Sequence, residues 1–334
     1  MMIAAAKSSS AKVNWQKIVA PYKEGHAGIA LWHLAAGMTI LVVCWAGMAL
    51  AYDMTMMRWV GLLLAIPAGA MLVKLFAIQH DCSHGAYLNQ QWASDLIGRI
   101  LCPLVMTPYT QWAREHAMHH ATSGRLDSRG IGDVDTWTVA EYEAASTWQK
   151  IGYRILRNPL FLFGPGATLY FLVQQRFVRY QSEKRESWMS VWTTNVAFAG
   201  FIFAGCWLFG TGRFMWFWLP TVFVAAGLGT WIFYIGHQFP DTYWKGEEEW
   251  DFFEASMHGA SFYRWGTIMD FISCNIGYHH VHHLCARIPF YNLPRCVAEN
   301  PIFQIKELSF LESLPCAFLA LWDEDNQRLV PFKS

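Results

Sequence analysis

Four long apolar runs constrain this chain more than any other feature: roughly Gly28–Leu50, Trp59–Gln79, Trp188–Gly210 and Phe214–Gly236. Each is near the ~20 residues that a helix needs to cross the hydrocarbon core of a bilayer. The linkers within each pair are short, Ala51–Arg58 and Thr211–Arg213. The runs therefore predict an all-α polytopic membrane protein whose four transmembrane helices form two hairpins. Composition agrees: 15% of the residues are charged, whereas soluble domains run near a quarter. An aromatic load of 18 Trp and 23 Phe suits anchors at membrane interfaces. A formal net charge of zero gives no footprint for nucleic acid.

If all four runs span, both termini and both large segments share one side. That side holds every Lys and Arg except Arg58, Arg213 and the intramembrane Lys74. Lys17, Lys23, Arg179, Lys184, Arg185 and Lys245 lie near the span ends. By the positive-inside rule this side is cytosolic, as expected of an integral, multi-pass protein of a bacterial inner membrane. Lys74 lies near one end of its run and is expected to snorkel to the headgroups. Leu96–Thr107 and Pro159–Val173 are apolar but interrupted by Pro or Gly, and read as interfacial or re-entrant helices on the cytosolic face. The domain plan is a cytosolic tail over residues 1–27, a membrane domain over 28–300, and a C-terminal segment over 301–334 that packs into a cytosolic helical cap. The eight cysteines form no CxxC pair and read as reduced thiols.

Most of the 13 histidines are grouped. His80 and His84 follow the second run, His116, His119 and His120 form a second group, and His279, His280, His282 and His283 a third. His237 ends the fourth run. Residues four apart share a helix face, so His80 and His84 can reach one metal. The triplets at i, i+3 and i+4 each present a fan of imidazoles broad enough for two ions. Neutral imidazole suits Fe, Zn, Cu and Ni, so spacing alone does not choose among them. Every group meets the same predicted membrane face. His26, His33 and His258 stand alone and read as ordinary surface or core residues. His280 points off the ligand face of its helix and reads as structural, or as orienting a ligand.

At these residues the sequence resembles the membrane fatty acid desaturases. That family carries HxxxH or HxxxxH, then HxxHH, then HxxHH or QxxHH; here the boxes are HDCSH, HAMHH and HHVHH. The stretches His237–Trp244 (HQFPDTYW), Glu249–Phe252 (EWDF) and Arg287–Leu293 (RIPFYNL) are similar to acyl-lipid desaturases of bacteria, cyanobacteria and plants, the Delta-12 (omega-6) group above all. The resemblance covers roughly residues 30–300. It implies a di-iron centre, two Fe ions held by His80, His84, His116, His119, His120, His237, His279, His282 and His283. Some members place an asparagine one turn before the histidine of the fourth span, where it holds a metal-bound water. Phe233 stands there; Asn275, one turn before His279, is a possible substitute.

The chemistry that this implies is removal of two hydrogens from adjacent methylenes with O2 and two electrons, a task that needs redox-active iron rather than zinc. Asp81, Glu115, Asp241 and Asp251 sit near the histidines and are candidates to orient them. The expected substrate is a membrane lipid or acyl chain held in a tunnel of Trp, Phe and Leu side chains. Arg176, Arg179, Lys184 and Arg185 are expected to anchor the cytosolic boundary, or else to meet lipid phosphates. The chain has no haem motif and no GxGxxG nucleotide fingerprint, so electrons should come from a separate carrier, by resemblance a ferredoxin or cytochrome b5. Two other readings stay open: a related hydroxylase or ketolase of alkanes, sterols or carotenoids, and a membrane metal carrier without enzymatic activity.

Overall fold

The computed structural model describes residues 14–130, 132–179 and 185–333. Lys184 and residues 1–13 of the N-terminal tail lie outside the described residues. Four helices are long and apolar enough to cross a membrane: Ala27–Ala51, Met57–Ser83, Arg185–Phe209 and Thr211–His237. The first and second spans pack together, as do the third and fourth, and the fourth lies along the second. Only Gly210, in the left-handed region at φ 78°, separates the third span from the fourth. The expected linker Thr211–Arg213 is therefore the first turn of the fourth span.

Close approach of the second and fourth spans depends on small side chains, the usual basis of helix packing in lipid. A Cβ on Gly69 would lie 2.7 Å from Val224. The outward faces are apolar, with Val43, Val196, Phe203 and Trp207 all exposed.

Lys74 does not snorkel. It is fully buried, with Nζ 2.9 Å from His33 Nδ1 and donating to Phe271 O at 2.6 Å. The ammonium also lies over the Phe271 ring. An intramembrane cation is costly in lipid and turns inward when partners exist there. Here the helix Thr267–Ile272 supplies Phe271, and the first span supplies His33.

The expected apolar stretch 96–107 lies in a helix over Gln91–Val105, closed by Met106 at φ 57°. The stretch 159–173 is a broken helix with a π turn at Leu162–Gly166, kinked at Gly164 and containing Pro165. It packs on the fourth span, where a Cβ on Gly164 would lie 3.6 Å from Phe223. Phe223 stands 14 residues before His237, which is about 21 Å down the helix. The segment thus dips to the depth of the spans.

The protein is not purely α. Strand β1 (Trp137–Thr138) pairs in parallel with β4 (Leu319–Asp323), which pairs antiparallel with β5 (Arg328–Pro331). Strands β2 (Phe262–Arg264) and β3 (Glu307–Ser309) make a second small parallel pair. Buried Trp322, Leu321 and Tyr153 join this C-terminal sheet to the rest.

Candidate metal centre

The second span runs on until His84 closes it, and the fourth ends at His237. The helix Tyr109–Thr122 carries the second histidine group, and the short helix His279–Leu284 carries the third. These four elements bring all nine expected histidines into two sets. His80, His84, His116, His120 and His282 form one; His119, His237, His279 and His283 form the other. Within each set the facing nitrogen atoms lie within 4.8 Å of one another.

The partition follows from helical rotation of ~100° per residue. The i and i+4 members, His116 with His120 and His279 with His283, each serve one set, while His119 and His282 at i+3 turn to the other. Each triplet therefore straddles both sets. Gly236 makes room for this: a Cβ there would lie 2.8 Å from His279 Cδ2.

The histidines outside the sets have other work. His280 donates from Nε2 to Phe303 O at 2.8 Å. His26 caps the first span, its Nδ1 accepting from Ile29 N. His33 meets Lys74, and His258 is exposed beside Glu254.

The protonation pattern shows that the sets suit a cation. His237 Nδ1 is 2.9 Å from Gly259 O and must donate to it. His119 Nδ1 lies 2.5 Å from a carboxylate oxygen of Asp133, outside hydrogen-bond geometry but close enough for the negative charge to favour the proton on Nδ1. A neutral imidazole carries one N–H, so both Nε2 atoms are bare. Yet these Nε2 atoms stand 3.1 Å apart, and His279 Nε2 is 3.0 Å from that of His237. Facing lone pairs repel unless a positive charge sits among them. An added proton is disfavoured by burial, which pushes His116, His120, His279, His282 and His283 well below the ordinary imidazole range and His84 down to about 3. Buried and unpartnered Nε2 atoms on His282 and His283 point to the same need. Two sets made only of neutral imidazoles, without thiolate, fit iron among the metals that imidazole favours.

The acids expected to orient these ligands do otherwise. Asp81 accepts from Phe290 N at 3.1 Å. Asp251 caps a helix through Phe253 N and Glu254 N, Glu115 pairs with Arg179, and Asp241 is exposed. Among the described residues, the acid that does touch one of the nine histidines is Asp133, which the spacing argument missed. Its loop carries Gly130 and Gly132 at positive φ and folds back onto the second-box helix, where a Cβ on Gly132 would sit 3.1 Å from His119 Cβ. An acid within a glycine-rich turn after the box was the available signal. Asn275, also at positive φ, donates its amide to Phe290 O. Phe233 packs against the His119 ring.

Beside the histidines lies a cavity of about 660 Å³, within the ~300–1,000 Å³ of small-molecule sites. Phe76, Trp112, Phe171 and Phe233 line it, and His80, His116 and His279 reach it from both sets. Arg179 and Arg176 turn inward: Arg179 to Tyr170 Oη at 2.8 Å and Glu115, Arg176 to Asn195 Oδ1 at 3.0 Å and Met106 O. Arg185 is exposed. All eight cysteines are free.

Comparison with known proteins agrees with this geometry. The family model described as "Fatty acid desaturase" matches residues 55–301. A fatty acid desaturase of Bacillus subtilis is 35% identical over 274 residues, 82% of this chain and 78% of that protein. An sn-1 acyl-lipid omega-3 desaturase (ferredoxin) of Nostoc sp. is 29% identical over 67% of this chain and 63% of its own length. An sn-1 oleoyl-lipid 12-desaturase of Arthrospira platensis is 24% identical over 77% of this chain and 73% of its own length. With four apolar helices long enough to span a membrane and two imidazole sets fit for iron, the chain belongs to the fatty acid desaturase family, oxidoreductases of lipid metabolism.

Proposed function

We propose that this protein inserts a cis double bond into a lipid-linked acyl chain, with Delta-12-like regiochemistry, at a pair of iron ions held by the nine histidines. The observation that carries this reading is the apolar cavity that touches both imidazole sets. Bound iron would supply the one-electron redox chemistry by which O2, two electrons and two protons convert –CH2–CH2– to –CH=CH– and two waters.

The chain's own residues do the rest. His80, His84, His116, His120 and His282 hold one ion; His119, His237, His279 and His283 hold the other. Asp133 and Gly259 O keep the Nδ1 protons of His119 and His237 on the outer side, so both Nε2 atoms stay free to ligate. Phe76, Phe171 and Phe233 exclude water and confine the chain, so that one pair of methylenes lies beside His80, His116 and His279. Depth in the cavity then sets the bond position. Both termini and the histidine sets face the cytosol of an inner membrane in this reading, which the concentration of basic residues on one side of two hairpins supports. The electron donor is a separate carrier of ferredoxin or cytochrome b5 type.

The test is fatty acid methyl ester analysis of a host expressing the gene, with iron counted in the purified protein. New cis double bonds and two irons per chain are expected. Hydroxylated product alone, or a protein that carries metal across liposomes without any lipid product, would overturn the proposal.

A further inference from the structure

Helix Thr147–Leu156 is built the wrong way round for water. Its inner face is anchored by polar contacts: Tyr153 Oη donates to Ala320 O at 2.5 Å, and the adjoining Arg157 donates to Leu319 O at 2.6 Å. Its outer face carries Trp148, Ile151, Ile155 and Leu156, at i, i+3, i+7 and i+8. Trp148 is 81% exposed, and the three aliphatic residues are exposed beside it. That spacing makes one continuous apolar stripe.

Two independent observations say what covers the stripe. First, Asn158 and Pro159 lead directly from this helix into the broken segment that reaches Phe223 of the fourth span. A helix at the point where the chain drops to membrane depth lies at the membrane surface. Beyond Arg157 and Asn158, Leu160 adds another apolar side chain, exposed by 86%. Second, the helix carries Lys150 and Arg154 and no acid. Lys150 donates to Glu143 O, and Arg154 to Tyr142 Oη and Lys333 O. Neither meets a carboxylate among the described residues, so both charges remain for anionic headgroups.

We infer that Thr147–Leu156 is an interfacial helix seated in an anionic phospholipid surface, where it holds the mouth of the cavity against the bilayer. Tyr153, Leu156 and Arg157 line that cavity, and Leu156 belongs to the outer stripe as well. A glycerolipid therefore slides its acyl chain past Leu156 without leaving the membrane, a consequence that rests on the lipid-linked substrate proposed above. Apolar burial and basic residues near the surface are the two contributions that bind such helices.

Photocrosslinking of the full chain in vesicles of phosphatidylcholine and phosphatidylglycerol tests this. Benzoylphenylalanine replaces Trp148, Ile151 or Ile155, with Val43 on the first span as the lipid-facing control and Asn326 as the water-facing one. Intact mass should show phospholipid adducts at all three helix positions as at Val43, and none at Asn326. The adducts should favour phosphatidylglycerol, a preference that falls several-fold in Lys150→Gln/Arg154→Gln. Adducts at Val43 but none on the helix would overturn the inference, as would crosslinks to a second copy of the chain. The readout needs neither iron nor turnover, so failure of the desaturase reading would leave it intact, and its own failure would leave that reading standing.

Discussion

Gly236→Ala should empty one iron site well before the other. The added Cβ would lie 2.8 Å from His279 Cδ2 and 3.0 Å from its Nε2. Carbon atoms prefer ~3.5–4.0 Å, so the ring must retreat by roughly 0.7–1 Å. Metal–ligand distances tolerate only about ±0.2 Å, so the displacement is several times what the site absorbs. Disturbing the orientation of a single ligand typically costs about 10–100-fold in metal affinity, or ~1.4–2.8 kcal/mol. His279 belongs with His119, His237 and His283, and that set should suffer directly. The assay is iron per chain after equilibration with a competing chelator at fixed free Fe(II). The parent should retain two ions, and Gly236→Ala should approach one with turnover lost. Gly200→Ala in the third span meets nothing within 4 Å and serves as the folded control. If Gly236→Ala held both ions and full activity, the assignment of His279 to a tightly packed site would be wrong.

Asp133→Ala should weaken the same set by a similar factor, and Asp133→Asn, which keeps an acceptor for His119 Nδ1, should recover part of the loss; equal iron content in all three proteins would refute an orienting role. His116→Ala, His119→Ala or His283→Ala should abolish desaturation while the protein still inserts, and His258→Ala should be mild; activity in any of the first three removes that residue from the ligand set, and loss of iron in His258→Ala adds one. In the metal-free protein, burial holds the His84 imidazole down to about 3 and its neighbours His116, His120, His282 and His283 well below their ordinary value. Between the unfolded value of ~6.5 and those lower values the unfolded chain binds protons that the folded chain refuses. The Tm of chelated protein should therefore be highest above pH 6.5 and fall as pH is lowered toward 5, and a flat profile would contradict the burial of these rings.

The clustering of the histidines was legible because helical spacing is a local property: i, i+3 and i+4 mean the same thing wherever the helix sits. So were the four spans, since length and lack of charge are written into each run. What escaped depends on distant partners. Lys74 turned inward because Phe271, almost two hundred residues away, offers a carbonyl. Asp133 reaches His119 only because a glycine-rich loop reverses direction, and nothing in a run of neighbours announces where such a loop will land. The strand Leu319–Asp323 is five residues long and, besides its local hairpin with Arg328–Pro331, takes a parallel partner from Trp137–Thr138, far upstream.

Because each histidine triplet straddles both sets, two metals held there would share their mountings. Filling one set fixes the pitch and rotation of the Tyr109–Thr122 and His279–Leu284 helices, and so pre-aligns donors for the other. Reciprocity then demands that losing either ion loosen its companion by the same factor. A half-filled molecule should therefore hold its remaining ion more weakly than a full one does, and lose it at a higher level of free iron than an independent site would.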